Sequence, residues 1–239
     1  MPSWATSTAT FRSRAYSRIV SRIPSPSPVT IWLPQWLTII FGTPFLVELK
    51  GQAQPPRNLK TILKIIEQAN LSSAVKKSSI GIFEALADAE GKIHNRPPAE
   101  IHFHEVGAKD AILDVTGAMV GVDLLGARTF SAGPISVGEG TVEAAHGKMP
   151  VPAPATAELL SGLQWRPGPV DGELATPTGV AILRVLAGPT PTDLRAERIG
   201  YGSGSRRIEG WPNFLRLWLV EGKSVEAALP AQLEEVLVL

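Results

Sequence analysis

Between residues 56 and 125 the period of the hydrophobic pattern changes twice, and this confines the chain to a fold that mixes helices with strands. In RNLKTILKIIEQANL the apolar residues Leu59, Ile62, Leu63, Ile66 and Ala69 recur at helical spacing. Asn58, just before them, is a predicted N-cap. SSAVKKSSIGIFEALADAEGKIH predicts a second helix, with Val75, Ile82, Phe83, Leu86 and Ala89 or Glu90 on or near one face and Gly81 inside it. The two read as a helical hairpin. IHFHEV then alternates, Ile101, Phe103 and Glu105 against His102, His104 and Val106, as in a short strand. DAILDVTGAMVGVDLLGA returns to helix and is so nearly apolar that burial is expected. The fold class is therefore α/β of the α+β type, with mixed strands, packed helices and an N-terminal helical hairpin.

The second half carries shorter elements. ARTFSAGPISVGEGTVEAA predicts two short strands around a Gly-rich turn, and HGKMPVPAPATAELLSG a Pro-rich loop entering a short helix. ELATPTGVAILRVLAG predicts a loop and a helix from near Thr178; RAERIGYGSGSRRIEGWPNFLRLWLVEG predicts strand, Gly/Ser loop, strand. QLEEVLVL closes the chain as an apolar, strand-like end. A strand needs a neighbour, so a following domain is expected to be absent here. No internal repeat is present.

Residues 1–45 differ from the rest. Of the 23 basic residues, Arg12, Arg14, Arg18 and Arg22 precede all 22 acidic ones, so the start carries +4 and the remainder −3. Val29 to Val47 runs without a charge, long enough for a membrane span. Pro34 and Pro44, with Gln35 and Thr38, weigh against that. An edge strand with a buried loop, or a start foreign to the domain and disordered, are the other readings. With 44% hydrophobic and 19% charged residues the whole chain suits a soluble, cytoplasmic globular protein. No basic stripe interleaved with aromatics appears, so nucleic acid is not an expected partner.

There is no cysteine, which excludes disulfides, thiolate metal sites and a cysteine nucleophile. A metal would need imidazole or oxygen donors, suiting nickel, zinc, manganese or magnesium. IHFHEVGAKDAILD offers such a set. His102 and His104 share one face of a strand, Gly107 permits a bend that could bring in Glu105, and Asp110 and Asp114 are i,i+4 neighbours on the following helix. Two such carboxylates repel unless a cation lies between them. The competing reading makes Asp110 an N-cap and the histidines a wet strand face. His94 reads best as a favourable charge at a helix C-terminus. His146, in AAHGKMPVPAPAT, is a ligand, a substrate contact or neither. Three segments could hold an anion. Thr176, Thr178 and Gly179 open a helix, where free N–H groups favour phosphate, although plain N-capping explains the threonines equally well. Gly202, Ser203, Gly204 and Arg206 in GYGSGSRR could wrap a phosphate. PVPAPAT, ending in Thr156, could wall a pocket or merely connect.

HFHEVGAKDAILDVTGA, AAHGKMPVPAPAT, ELATPTG and ERIGYGSGSR occur in that order. This series resembles the nickel-insertion family of nickel-pincer cofactor biosynthesis, which makes the lactate racemase cofactor, from about Phe45 to the C-terminus. The resemblance implies a nickel chelatase of the lyase class. It would place Ni²⁺ between the two sulfurs of pyridinium-3,5-bisthiocarboxylic acid mononucleotide and form a nickel–carbon bond. CTP and a divalent ion, Mn²⁺ or Mg²⁺, are implied as well. Departing from the family, residues 1–45 lack its Asp/Gly-rich opening and the chain stops before its usual C-terminal domain, where the CTP site is expected. Residues 46–239 are thus expected to form the family core, acting alone, as a homo-oligomer or with a partner chain. His102, His104, Glu105, Asp110, Asp114 and His146 would hold nickel, and Glu105 or His104 would take the ring proton. Thr176, Thr178, Gly179, Gly202, Ser203, Gly204 and Arg206 would hold the mononucleotide. A metal-dependent hydrolase with the same ligands and a non-catalytic nickel-binding protein are the rivals.

Overall fold

The computed structural model describes the backbone of residues 43–44, 57–103, 109–127, 129–144, 147–168, 170–188, 195–204, 206, 208, 211 and 213–221. Strands β1 (Thr43–Pro44) and β2 (Arg57–Asn58) precede helices α1 (Leu59–Gln68) and α2 (Ser73–His94). A 3-10 turn (Pro98–Glu100), β3 (His102–Phe103) and α3 (Lys109–Leu125) follow. Next come β4 (Ile135–Ser136), β5 (Gly138–Glu139), β6 (Thr141–Ala144), β7 (Gly147–Pro150) and α4 (Pro154–Leu159). The last described elements are β8 (Trp165–Arg166), β9 (Gly172–Glu173), α5 (Pro177–Leu186), β10 (Arg195–Ser203) and β11 (Phe214–Glu221). The chain is a mixed helix and strand protein, as its changing hydrophobic period requires. It forms two compact units, one holding β2 to α3, the other β1, β4, β5 and the elements from α4 onward. Strands β6 and β7 pair as a ribbon. Of the uncharged run Val29 to Val47 only Thr43 and Pro44 are described, and QLEEVLVL lies outside the described residues. Among the described residues no helix is long and apolar enough to cross a membrane.

In the first unit the helical hairpin forms where the apolar stripes place it. Asn58 caps α1: its Oδ1 accepts from the Thr61 backbone N–H at 2.9 Å and the Thr61 hydroxyl at 2.7 Å. Asn58→Ala is therefore expected to cost about 1 kcal/mol, readable as a lower midpoint in urea. Ile62 and Ile66 are buried against α2, which contributes Val75, Ile82, Phe83 and Leu86 to the core. Ser72 caps α2 by accepting from Val75 N–H at 3.2 Å, and its hydroxyl donates to Asp123 Oδ2 of α3 at 3.2 Å. The helix ends at Asn95, whose left-handed φ of 50° turns the chain, while Arg96 N–H returns to the Gly91 carbonyl at 2.9 Å. Gly91 is required there: a Cβ would meet the Arg96 carbonyl oxygen at 2.8 Å.

Helix α3 buries one face rather than its whole circumference. Ala111, Ile112, Val115, Met119 and Val120 are buried, whereas Leu124 and Leu125 stay exposed. Packing against α2 covers a single stripe, and apolar composition alone does not report how many sides are covered. Thr116, though buried, is satisfied within the helix by donating to the Ile112 carbonyl at 2.7 Å.

The second unit is built on β10 and β11, antiparallel from Arg195↔Glu221 to Ser203↔Phe214, with β1 parallel to the end of β10 at Gly202 and Ser203. Arg216 lies over the rings of Tyr201, Phe214 and Trp218 at 5.3, 5.7 and 5.6 Å. Strand β10 takes in Gly200, Tyr201, Gly202 and Ser203, so the Gly/Ser loop begins later than the glycines suggest. Residues 135–139 lie between two segments: β4 is parallel to β8, and β5 antiparallel to β9. Helices α4 and α5 pack together, and Ala155, Leu159, Val180 and Ala181 on them are buried. Arg184 of α5 donates to the carbonyls of Leu159 and Ser161, closing the C-terminus of α4.

Candidate functional site

Strand β3 presents the first of the metal-donor candidates. Ile101 and Phe103 are 4% and 2% exposed, and His102 between them faces solvent. The alternation read from IHFHEV therefore holds over 101–103 and turns the imidazole away from the core. Phe103 fixes this orientation by meeting Phe83 edge to face, with centroids 6.4 Å apart and planes at 69°. On the other side β3 pairs with β2, Asn58 opposite His102, so the residue that caps α1 also sets the register of the strand.

Asp110 and Asp114 fall on α3, which begins at Lys109, and Asp114 is exposed. His104, Glu105 and His146 lie outside the described residues. Among the described residues no group of three or more His, Asp or Glu side chains gathers as a metal cage. His94 ends α2 as expected, its Nε2 3.4 Å from Glu90 Oε2 one turn earlier.

The anion-binding candidates belong to the second unit. Thr176 is the N-cap of α5 and accepts from Gly179 N–H at 3.4 Å. The Val180 N–H is taken by the Thr176 carbonyl at 3.0 Å, and Pro177 has no N–H. Among the first-turn amides this leaves that of Thr178. Gly202 and Ser203 lie in β10 between β1 and β11, and Gly204 N–H donates to the Asn213 carbonyl at 3.2 Å.

Thr156 and Arg206 converge on a residue that sequence reasoning passed over. The fully buried Thr156 hydroxyl donates to Glu173 Oε1 at 3.3 Å, and Arg206 Nη1 donates to the Glu173 carbonyl at 3.0 Å. PVPAPAT, ELATPTG and GYGSGSRR thus meet at Glu173. The glycine before it, Gly172, has φ +97°, and a Cβ there would lie 2.6 Å from Arg206 Nη2. Gly172 stands just ahead of ELATPTG in the sequence, but nothing local shows what a glycine makes room for.

The family model described as nickel insertion protein matches residues 22–239, and the chain belongs to that family. It is similar to the pyridinium-3,5-bisthiocarboxylic acid mononucleotide nickel insertion protein of Desulfitobacterium hafniense (strain DSM 10664 / DCB-2), 49% identical over 168 residues, 69% of this chain and 41% of the relative. The protein of the same name from Clostridium kluyveri is 46% identical over 172 residues, covering 71% of this chain and 43% of that one. The chain spans about half or less of the length of the curated relatives it matches. No solved structure matches it.

Proposed function

We propose that this chain takes part in nickel insertion into pyridinium-3,5-bisthiocarboxylic acid mononucleotide, as a metal insertase of the lyase class. Its similarity to two proteins bearing that name, over about seven-tenths of its own length, carries the reading. His102, His104, Glu105, Asp110, Asp114 and His146 are the proposed nickel donors. The outward placement of His102 and Asp114 supports their part. Nitrogen and oxygen donors hold Ni²⁺ less firmly than a sulfur pair does, so transfer to the bisthiocarboxylate runs downhill. Formation of the nickel–carbon bond releases a ring proton, which Glu105 or His104 would accept. Thr176, Thr178, Gly179, Gly202, Ser203, Gly204 and Arg206 are the proposed mononucleotide contacts. The CTP and divalent ion implied by the family resemblance are assigned no residues of this chain.

The test is nickel titration of the chain and of a His102→Ala/His104→Ala variant, followed by incubation with the mononucleotide and mass spectrometry of the small-molecule fraction. Nickel uptake is expected to fall at least tenfold in the variant, in line with loss of about 1.4 kcal/mol or more. Wild-type product is expected to carry nickel on the organic ligand. Equal uptake by both chains would remove the histidines from the site. Release of phosphate or free acid, with no nickel on the ligand, would favour hydrolysis.

A further inference from the structure

Resting on the substrate reading above, we propose that Arg206 is the phosphate clamp for the mononucleotide, and that Gly172 and Glu173 are the positioning residues that seat it. An exposed arginine normally keeps most of its rotamer freedom, and a ligand must supply the cost of ordering it, up to about 2 kcal/mol. Here that ordering exists before any ligand arrives. The guanidinium lies against the backbone of Gly172, where any side chain would displace it. Its Nη1 is bonded to the Glu173 carbonyl at 3.0 Å, and its own carbonyl accepts from Asn213 Nδ2 at 2.9 Å.

Only one edge of the guanidinium fork is used in this way. It makes no other hydrogen bond or ion pair among the described residues, and it is exposed. Five N–H groups in a planar fork suit a tetrahedral oxyanion, and the side chain that carries them is exposed. The anchor is the backbone carbonyl of Glu173, while its carboxylate Oε1 accepts from the Thr156 hydroxyl at 3.3 Å. The first turn of α5 is a weaker rival. With Pro177 lacking an N–H and Gly179 and Val180 engaged by Thr176, it has Thr178 alone to offer.

The experiment measures binding calorimetrically for three probes: a pyridine-3-carboxylate mononucleotide, the nucleoside lacking its phosphate, and inorganic phosphate. The full chain is compared with Arg206→Gln and Arg206→Lys, each checked for folding by circular dichroism and melting. Wild type is expected to prefer nucleotide to nucleoside by tenfold or more, the scale of one charge-assisted contact. Arg206→Gln should bring that ratio close to one, and Arg206→Lys should restore part of it. A ratio kept intact in Arg206→Gln overturns the clamp and leaves the substrate reading standing. Arg206-dependent binding of inorganic phosphate, with neither pyridine compound bound, overturns the substrate reading and leaves the anion seat. No binding of any probe to wild type overturns both.

Discussion

Phe83→Ala is expected to destabilise the first unit by about 3–5 kcal/mol, the range for removing a fully buried ring. Phe83 is 0% exposed and lies among Ile62, Ile82, Leu86 and Phe103 in the core. The truncation leaves a cavity and also removes the edge-to-face pairing with Phe103, worth roughly 0.5–1.5 kcal/mol beyond burial. Because whole domains are stable by only about 5–15 kcal/mol, the loss should be plain in urea titration and melting. The consequence reaches the site: Phe103 is the inward anchor of the strand whose outward residue is His102. Nickel affinity at the proposed donor set should therefore weaken in Phe83→Ala even where the variant is still folded. A change under about 1 kcal/mol would show that the ring is not packed as described.

Gly138→Ala is expected to cost about 3 kcal/mol or more, combining a left-handed backbone with backbone collision. Gly138 has φ +90°, and a Cβ would stand 2.0 Å from the Gly172 carbonyl oxygen, 3.1 Å from its carbon and 3.2 Å from Leu174 N. None of these atoms is the end of a flexible side chain, so the β5–β9 pairing must shift. Gly162 provides the control. It has φ +80°, but nothing lies within 4 Å of its Cβ position, so Gly162→Ala should cost only the conformational penalty, about 1–2 kcal/mol. Melting of both variants decides the matter, and equal losses would discount the close approach. Since the displaced peptide belongs to Gly172, Gly138→Ala should also disturb the seat of Arg206.

These two sites show different degrees of legibility. Phe83 stands at helical spacing with Ile82 and Leu86, so its burial follows from the stripe. Gly138 reads as a turn glycine in ISVGEG, which explains its φ but not the carbonyl against it. The same division runs through the candidate site. The placement of His102 outside Ile101 and Phe103 follows from strand alternation. The boundary of β10 did not, because Gly200 and Gly202 resemble a loop until Leu217, Leu215 and Thr43 are seen opposite them.

By itself the order of residues settled the helices, the Asn58 cap of α1, the outward face of β3 and the family, because each depends on neighbours within a turn or two, or on motifs kept in series. Only the tertiary structure decided that α3 buries one face, that three Pro- and Gly-rich segments meet at Glu173, and that Gly172 makes room for Arg206. Those contacts join residues 17 and 33 positions apart, and no local periodicity encodes which distant groups will share the space that a missing side chain leaves.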